Sequence, residues 1–351
     1  MGGTENQAVW LANSLIKKNK KVFFVSLKDA GVLSEKLDAK VSVNNFKLRN
    51  ASSQLSKLFY FFKGVYKLRI LIGENNIDTM VSFLIHSNII GRILLIFNRK
   101  KINHIIAFRS DRLSKRDSQI NKFRTFIFKN FVINKESIVV FNSQSGLNNM
   151  NLKKTTNNLI LNAPLNKPNL SYSSNHNKVI FVGRLDELKN VNNIILSLKY
   201  LSDTNISLDI YGKGPELPTI RKTIEDNRLS QAVTVKDIDL NISNRLNEYD
   251  ALIIASTHEA FPNVIIEAMN AGLVPISTKV GDCTWLLKES RGIIIEGFNP
   301  EQIAHALIEF YEMDIKKRKN IIQNCRSFID TELNEEKILN EWIDIIDQKV
   351  G

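Results

Sequence analysis

The chain has 351 residues, 43% of them hydrophobic and 24% charged, with a formal net charge of +12. That length supports two cores of ordinary domain size, and the composition is that of a soluble globular protein, not a disordered or fibrous one. Cys283 and Cys325 give neither a disulfide framework nor a zinc site, no apolar run is long enough to span a bilayer, and Met1 leads straight into GGTEN. The expectation is a cytoplasmic protein without a signal peptide or a membrane span.

The charge is unevenly placed. Residues 1–175 hold 28 Lys and Arg against 9 Asp and Glu, which leaves 20 against 27 for the remainder. A basic half beside a mildly acidic one suggests that the first half faces an anionic surface. An anionic membrane leaflet on the inner face of the cell membrane fits better than nucleic acid, for which there is no recognition motif or regular aromatic interleaving. The competing reading is a diffuse positive field on a Lys- and Asn-rich chain.

Gly2 and Gly3 open the chain, followed by Ala8, Leu11, Ala12, Leu15 and Ile16 at helical spacing and a strand over residues 22–26. Residues 54–74 read as a long helix with Lys57, Lys63, Lys67 and Arg69 around an aromatic body. Leu55, Leu58, Phe62 and Val65 keep the spacing of a crossover helix packed on a sheet, while such a segment can equally lie in a membrane interface. A strand is predicted over 77–85, with His86, Ser87 and Asn88 on the loop beyond it, and another over 102–108, ending at Arg109. His86 reads either as a structural histidine or as a substrate contact. Arg109 reads either as a surface arginine or as a bidentate ligand for a phosphate group. Arg112, Lys115, Arg116, Lys122 and Arg124 alternate with Phe123, Phe126 and Phe128, a segment suited to a membrane or an anionic acceptor. A strand over 138–141 closes this half.

Residues 162–177 are rich in Pro, Asn and Ser and read as a linker. A fresh strand over 179–182 leads into GRLDELKN, which carries Gly183, Arg184 and Lys189. Cations at a helix start oppose the helix dipole, so their placement suggests an anionic ligand. A strand over 208–211 feeds the tight turn Gly212, Lys213, Gly214, Pro215, and a strand over 233–236 precedes Asp237 and Asp239. That Asp-x-Asp reads as hydrated loop acids and not as a metal site. Residues 251–255 form a strand, 256–261 a polar loop, and Pro262 opens a helix that Gly272 closes. Another buried strand follows over 273–277. Glu259 lies before that helix and Glu267 inside it, and the amides of Asn263 and Val264 sit at its positive end, a seat for phosphate. Helices over 300–311 and 332–348 complete the chain, the last carrying Trp342.

The loop and helix at 256–269 resemble the signature of family four retaining glycosyltransferases, which use nucleotide-sugar donors and have the GT-B fold. Ser256, Glu259, Phe261, Pro262, Asn263, Glu267, Ala268 and Met269 stand in register with it, and Ala260 stands where Gly is usual. The likeness is strong over residues 179–287 and diffuse before 162. It implies an α/β chain with two Rossmann-like parallel-sheet domains facing a cleft: an acceptor-side domain over 1–163, a linker over 164–177, a donor-binding domain over 178–325, and a helix over 326–351 crossing back. In the family a strand precedes the paired glycines; here it is absent, so the first domain is expected to lack its first strand.

The resemblance also implies the roles of the residues. Arg184 and Lys189 would neutralise the departing diphosphate, Glu259 would hold the sugar hydroxyls, and Glu267 would hold the ribose. Phe261 and the amides of Asn263 and Val264 would frame the sugar and the distal phosphate, with Gly3, Gly183 and Gly212 letting backbone approach the donor. Arg109 stands where many relatives have His, as in the subset that builds bacterial surface and lipid-linked glycans, with His86 on the same rim. No metal or other cofactor is expected. The implied reaction moves a sugar, from a nucleoside diphosphate that is UDP by analogy, to a glycan or lipid-linked glycan with retention. The alternatives are a nucleotide-sugar-binding protein without turnover and an epimerase or phosphorylase on the same architecture.

Overall fold

The computed structural model describes residues 3–27, 31–46, 54–97, 101–109, 126, 128–133, 137–150, 152, 155–165, 177–201, 204–239 and 241–348. The chain divides into two compact units, residues 1–163 with 335–351, and residues 164–334. The segment at 112–124 that reads as membrane- or acceptor-facing, and most of the predicted linker, lie outside the described residues.

In the first unit α1 (Gly3–Lys17), β1 (Phe23–Ser26), α2 (Val32–Glu35) and β2 (Ser42–Asn45) are followed by α3 (Gln54–Glu74), β3 (Thr79–Phe83), α4 (Ile85–Phe97) and β4 (Asn103–Phe108). β5 (Ile138–Phe141), α5 (Gln144–Met150) and β6 (Thr156–Leu159) complete it, together with the C-terminal helix Glu335–Ile346. β1 and β2 form a two-stranded parallel sheet, and β3, β4, β5 and β6 form a separate four-stranded one. One of the two inner strands of the larger sheet, β4, is buried along its whole length. Ile106, Phe108, Val139 and Phe141 pack one core on it, while Val65, Leu68 and Ile72 of α3 meet Ile90 and Leu94 of α4 in a second.

One strand ends earlier than its apolar sequence suggests. Leu84 takes a left-handed backbone (φ 70°), and α4 begins at Ile85, so His86 sits in a helical first turn and not on a loop. His104 on β4 is buried beside Ser82 of β3, with its Nε2 2.7 Å from Ser82 Oγ. The Asn88 amide of α4 donates to Ser82 Oγ (2.7 Å), which leaves the hydroxyl to donate to an unprotonated Nε2. Burial, and secondarily Arg92, push the His104 imidazole down to about 4.

The second unit holds β7 (Lys178–Val182), α6 (Val191–Ser197), β8 (Ser207–Tyr211), α7 (Leu217–Asp226), β9 (Val233–Lys236), β10 (Ala251–Ile254) and α8 (Asn263–Ala271). β11 (Val274–Thr278), α9 (Cys283–Leu287), β12 (Ile293–Ile295), α10 (Pro300–Glu312) and α11 (Ile315–Glu332) follow. Its six strands run in the order β12-β11-β10-β7-β8-β9, all parallel. Such a sheet is covered on both faces by its crossover helices, which is why β10 and β11 are wholly buried apolar runs and not alternating ones. α11 continues without a break to Glu332, with Cys325 Sγ on the Arg291 carbonyl (3.1 Å) and Phe328 edge-on to Trp285. This unit therefore ends at residue 334, beyond the boundary at 325 expected from sequence, and only the last helix joins the first unit.

Candidate active site

Parallel strands present their carboxyl ends on one edge, and the loops leaving them meet there. In the second unit, β7 and β10 are neighbours at the middle of the sheet, with β8 and β11 beside them. Their four loops are tied by backbone bonds. Gly183 N donates to Tyr211 O (3.0 Å), Leu185 N to Lys213 O (3.0 Å), Thr257 N to Leu188 O (2.9 Å) and Asp282 N to Ala260 O (3.0 Å). A Cβ at Gly212 would fall inside contact distance of the Gly183 carbonyl, and one at Gly281 would do the same against the Glu259 carbonyl. Gly281 also has a positive φ (52°), which side-chain-bearing residues rarely adopt. The glycines at Gly212 and Gly281 therefore let one loop pass close over another, whereas a Cβ at Gly183 would meet the Phe181 ring first, at 3.1 Å.

On this rim Lys189, at the end of a single 3-10 turn (Glu187–Lys189), forms an ion pair with Glu259. Ser256 Oγ donates to the same carboxylate oxygen, Oε1, at 2.8 Å, and the Thr278 hydroxyl fixes the Ser256 carbonyl from β11 at 2.6 Å. Both side chains of the pair are largely withdrawn from solvent, at 23% and 12% exposure, so the attraction is screened less than at an open surface. Oε2 of Glu259 stands outside these contacts and can accept from a ligand hydroxyl. Arg184, on the same loop, is exposed and paired with Asp186 and not with Glu259.

α8 begins at Asn263, directly after Pro262, whose ring makes no capping hydrogen bond. The first amides of the helix lie at the positive end of its dipole. Asn263, Val264 and Glu267 are the half-buried positions of this helix, three and four residues apart on one face, while Ile265, Ile266, Ala268 and Met269 are buried. Ser243 Oγ donates to Glu267 Oε2 at 3.1 Å. Phe261 is buried at 8% exposure, and Cys283 behind the loop is an inert thiol, pushed up to about 12 by burial. Asp237 is paired with Lys213, and Asp239 with Arg245.

Sequence reasoning thus finds Lys189, Glu259, Phe261, Asn263, Val264 and Glu267 on one rim. It misses Ser243, which lies 24 residues before its partner and has no local signal. It names Ser256 only as part of a pattern, without its bond to Glu259.

The three candidates from the first half lie in the other unit. Gly3 is the exposed first residue of α1, and His86 is exposed in the first turn of α4. Arg109 follows β4 and is not a free surface cation. Its guanidinium lies 5.4 Å and 5.5 Å from the ring centroids of Phe83 and Trp342, and Nη1 donates to Asn162 Oδ1 at 2.5 Å. Burial lowers its pKa to about 9, against the favourable contact of the cation with the two ring faces.

The family profile for glycosyl transferases group 1 matches residues 163–328, which hold this rim and the helices behind it. The chain carries a group 1 glycosyl transferase domain. Among curated glycosyltransferases, the chain is 22% identical over 178 residues to the N-acetyl-alpha-D-glucosaminyl L-malate synthase of Bacillus anthracis, a match over 50% of this chain and 46% of that protein. It therefore spans about half the length of that relative. The match to a Campylobacter jejuni alpha-1,4-N-acetyl-D-galactosaminyltransferase, whose name specifies an undecaprenol-linked acceptor, is 24% identical and covers 98% of this chain and 95% of the relative. Among solved structures, Anabaena HepE in complex with UDP and glucose superposes with a TM-score of 0.81 at 17% identity, covering 99% and 96% of the two chains. That likeness gives the fold, and the glycosyltransferase has the GT-B architecture with two Rossmann-like parallel-sheet units. Among the described residues, no helix of this glycosyltransferase is long and apolar enough to cross a membrane.

Proposed function

We propose that this glycosyltransferase moves a sugar from a UDP-sugar to a glycan acceptor, lipid-linked or part of a surface polysaccharide, with retention at the anomeric carbon. The observation that carries the reading is the bonded set Lys189, Glu259 and Ser256 on the rim from which α8 starts. A diphosphate needs cations and amide donors, and a sugar needs a carboxylate acceptor; this rim offers both within a few residues. HepE, solved with UDP and glucose, and the undecaprenol-linked acceptor in the name of the Campylobacter relative support the choice of ligands.

Each cation is held by an acid, Lys189 by Glu259 of the loop after β10 and Arg184 by Asp186 of its own loop. A donor diphosphate would draw both cations towards itself and free Glu259 for the hydroxyls of the transferred sugar. Glu267, oriented by Ser243, would take the ribose hydroxyls. The bond between the anomeric carbon and the phosphate oxygen breaks while the acceptor oxygen attacks from the same face. The acceptor proton passes to the departing phosphate, whose growing charge Lys189 and Arg184 neutralise. The reading gives Glu259 to the sugar hydroxyls and Glu267 to the ribose, so a double displacement through a glycosyl-enzyme is not proposed. The chain's own residues supply all of this chemistry, without a metal.

A second reading rests on the divided sheet of the first unit: a protein that binds the nucleotide sugar without transferring it. The two separate in an assay of UDP release. Transfer requires release that depends on an added glycan or lipid-linked acceptor, and the second reading requires UDP-sugar binding with no acceptor-dependent release. Release without any acceptor would instead favour hydrolysis or epimerisation.

A further inference from the structure

α3 carries two apolar stripes where a helix on a protein surface ordinarily carries one. Val65, Leu68 and Ile72 face the core, against Ile90 and Leu94. On the other side Phe59, Phe62, Tyr66 and Ile70 stand three, four and four residues apart, at 64%, 51%, 65% and 39% exposure. At about 100° per residue these four share one stripe, and Lys63 and Arg69, both exposed, fall on its two flanks. Neither flank carries an acid, because α3 holds no Asp or Glu before its last residue, Glu74. Ile96 and Phe97, at the end of the neighbouring α4, are also exposed, at 53% and 61%. Ten of the fourteen large hydrophobic side chains exposed among the described residues belong to the first unit.

Isolated apolar residues on a surface need no explanation, but a contiguous aromatic stripe edged by cations does. We infer that this face of α3 docks the protein on an anionic lipid bilayer, with the aromatic stripe at the level of the acyl boundary and Lys63 and Arg69 reaching back to the headgroups. Aromatic side chains favour that depth, and long basic side chains bury their stems while their charge stays at the headgroup level. The helix lies on the membrane and does not cross it. Charge selects the occupant. Residues 1–175 carry 28 basic against 9 acidic residues, a balance suited to a negative leaflet and unsuited to pairing with a second copy of the same basic face. The inference does not depend on the transfer chemistry, since it is read from α3 and α4 alone.

The test is flotation of the full chain with vesicles of pure phosphatidylcholine and with vesicles containing phosphatidylglycerol. We expect binding to the anionic vesicles that weakens steeply with added salt, and little binding to the neutral ones. A Phe59→Ser, Phe62→Ser, Tyr66→Ser variant should lose the bulk of the binding at unchanged melting temperature, since these side chains support no core. Lys63→Gln with Arg69→Gln should weaken it by roughly fivefold per charge. The same substitutions on the exposed second-unit residues Tyr200 and Phe298 should change nothing. Equal binding to both vesicle types, or full binding by the serine variant, would overturn the inference. So would a concentration-dependent dimer abolished by the serine variant, which would assign the stripe to a second copy.

Discussion

The second unit places its first strand, β7, in the middle of a continuous six-stranded sheet, whereas the first unit lays down two strands and then four. Among its described residues nothing joins β1 to β3, and the position that β7 holds in the second unit has no counterpart there. The difference shows what a central strand does. In the second unit it brings the loops after β7, β8, β10 and β11 to one rim, where backbone bonds lock them and an ion pair can be held partly buried. In the first unit the same kind of parallel strands carry fewer neighbours, and the apolar surface that is left open is found on α3 and α4. One unit spends its order on a site, and the other keeps a face for something outside itself.

The largest effect should come from the rim. Lys189→Ala is expected to lower kcat by about 10² to 10³ with little change in donor KM, the signature of a group that acts on charge formed in the transition state. Parallel losses in both constants would reduce Lys189 to a ground-state ligand. Acid should separate the units next. The His104 imidazole of the first unit sits at about 4, against an ordinary 6.5, so as pH falls the unfolded chain takes up the proton first. Stability therefore declines from about pH 6.5 to about pH 4 and levels off below, by about 3 kcal/mol at most. His104→Gln should remove that slope, which denaturant titrations at several pH values would read.

Glycine substitutions sharpen the comparison further. Gly212→Ala forces a methyl against the Gly183 carbonyl and should cost the second unit about 2 kcal/mol. Gly73→Ala on α3 meets open space on a helix and should stabilise the first unit by about 0.5–1 kcal/mol. A small effect is likewise expected from Ser256→Ala, about 0.5 kcal/mol of lost positioning of Glu259, seen as a modest fall in kcat/KM.

How much of this was legible depended on whether the partners were close in sequence. The loop and helix at 256–269 declare themselves because Pro262, Gly272 and the two acids lie in one local frame. The pairing of Ser243 with Glu267 does not, since tertiary folding alone brings a 3-10 turn after β9 against α8. His86 was expected on a loop because Leu84 and Ile85 prolong an apolar run, and the left-handed turn at Leu84 ends that run without any glycine to announce it. β2 and β6 escaped notice because Ser-Val-Asn-Asn and Thr-Asn-Asn-Leu carry no alternation; both are outermost strands, where burial imposes little pattern. Arg109 was read as an open phosphate ligand or a surface arginine, and the two rings that enclose it, Phe83 and Trp342, come from positions 26 residues before and 233 after. The division of the first unit's strands into two sheets is not readable from any one stretch either, since it depends on which strands pair in the fold.

The central claim is that one rim of the second unit holds the nucleotide and its sugar, and amide hydrogen exchange of the whole chain with and without UDP tests it most directly. The account predicts slowed exchange confined to residues 183–190, 212–216 and 255–267, with β3 and β4 unchanged. Protection elsewhere in the chain, with those three segments exchanging as before, would contradict it.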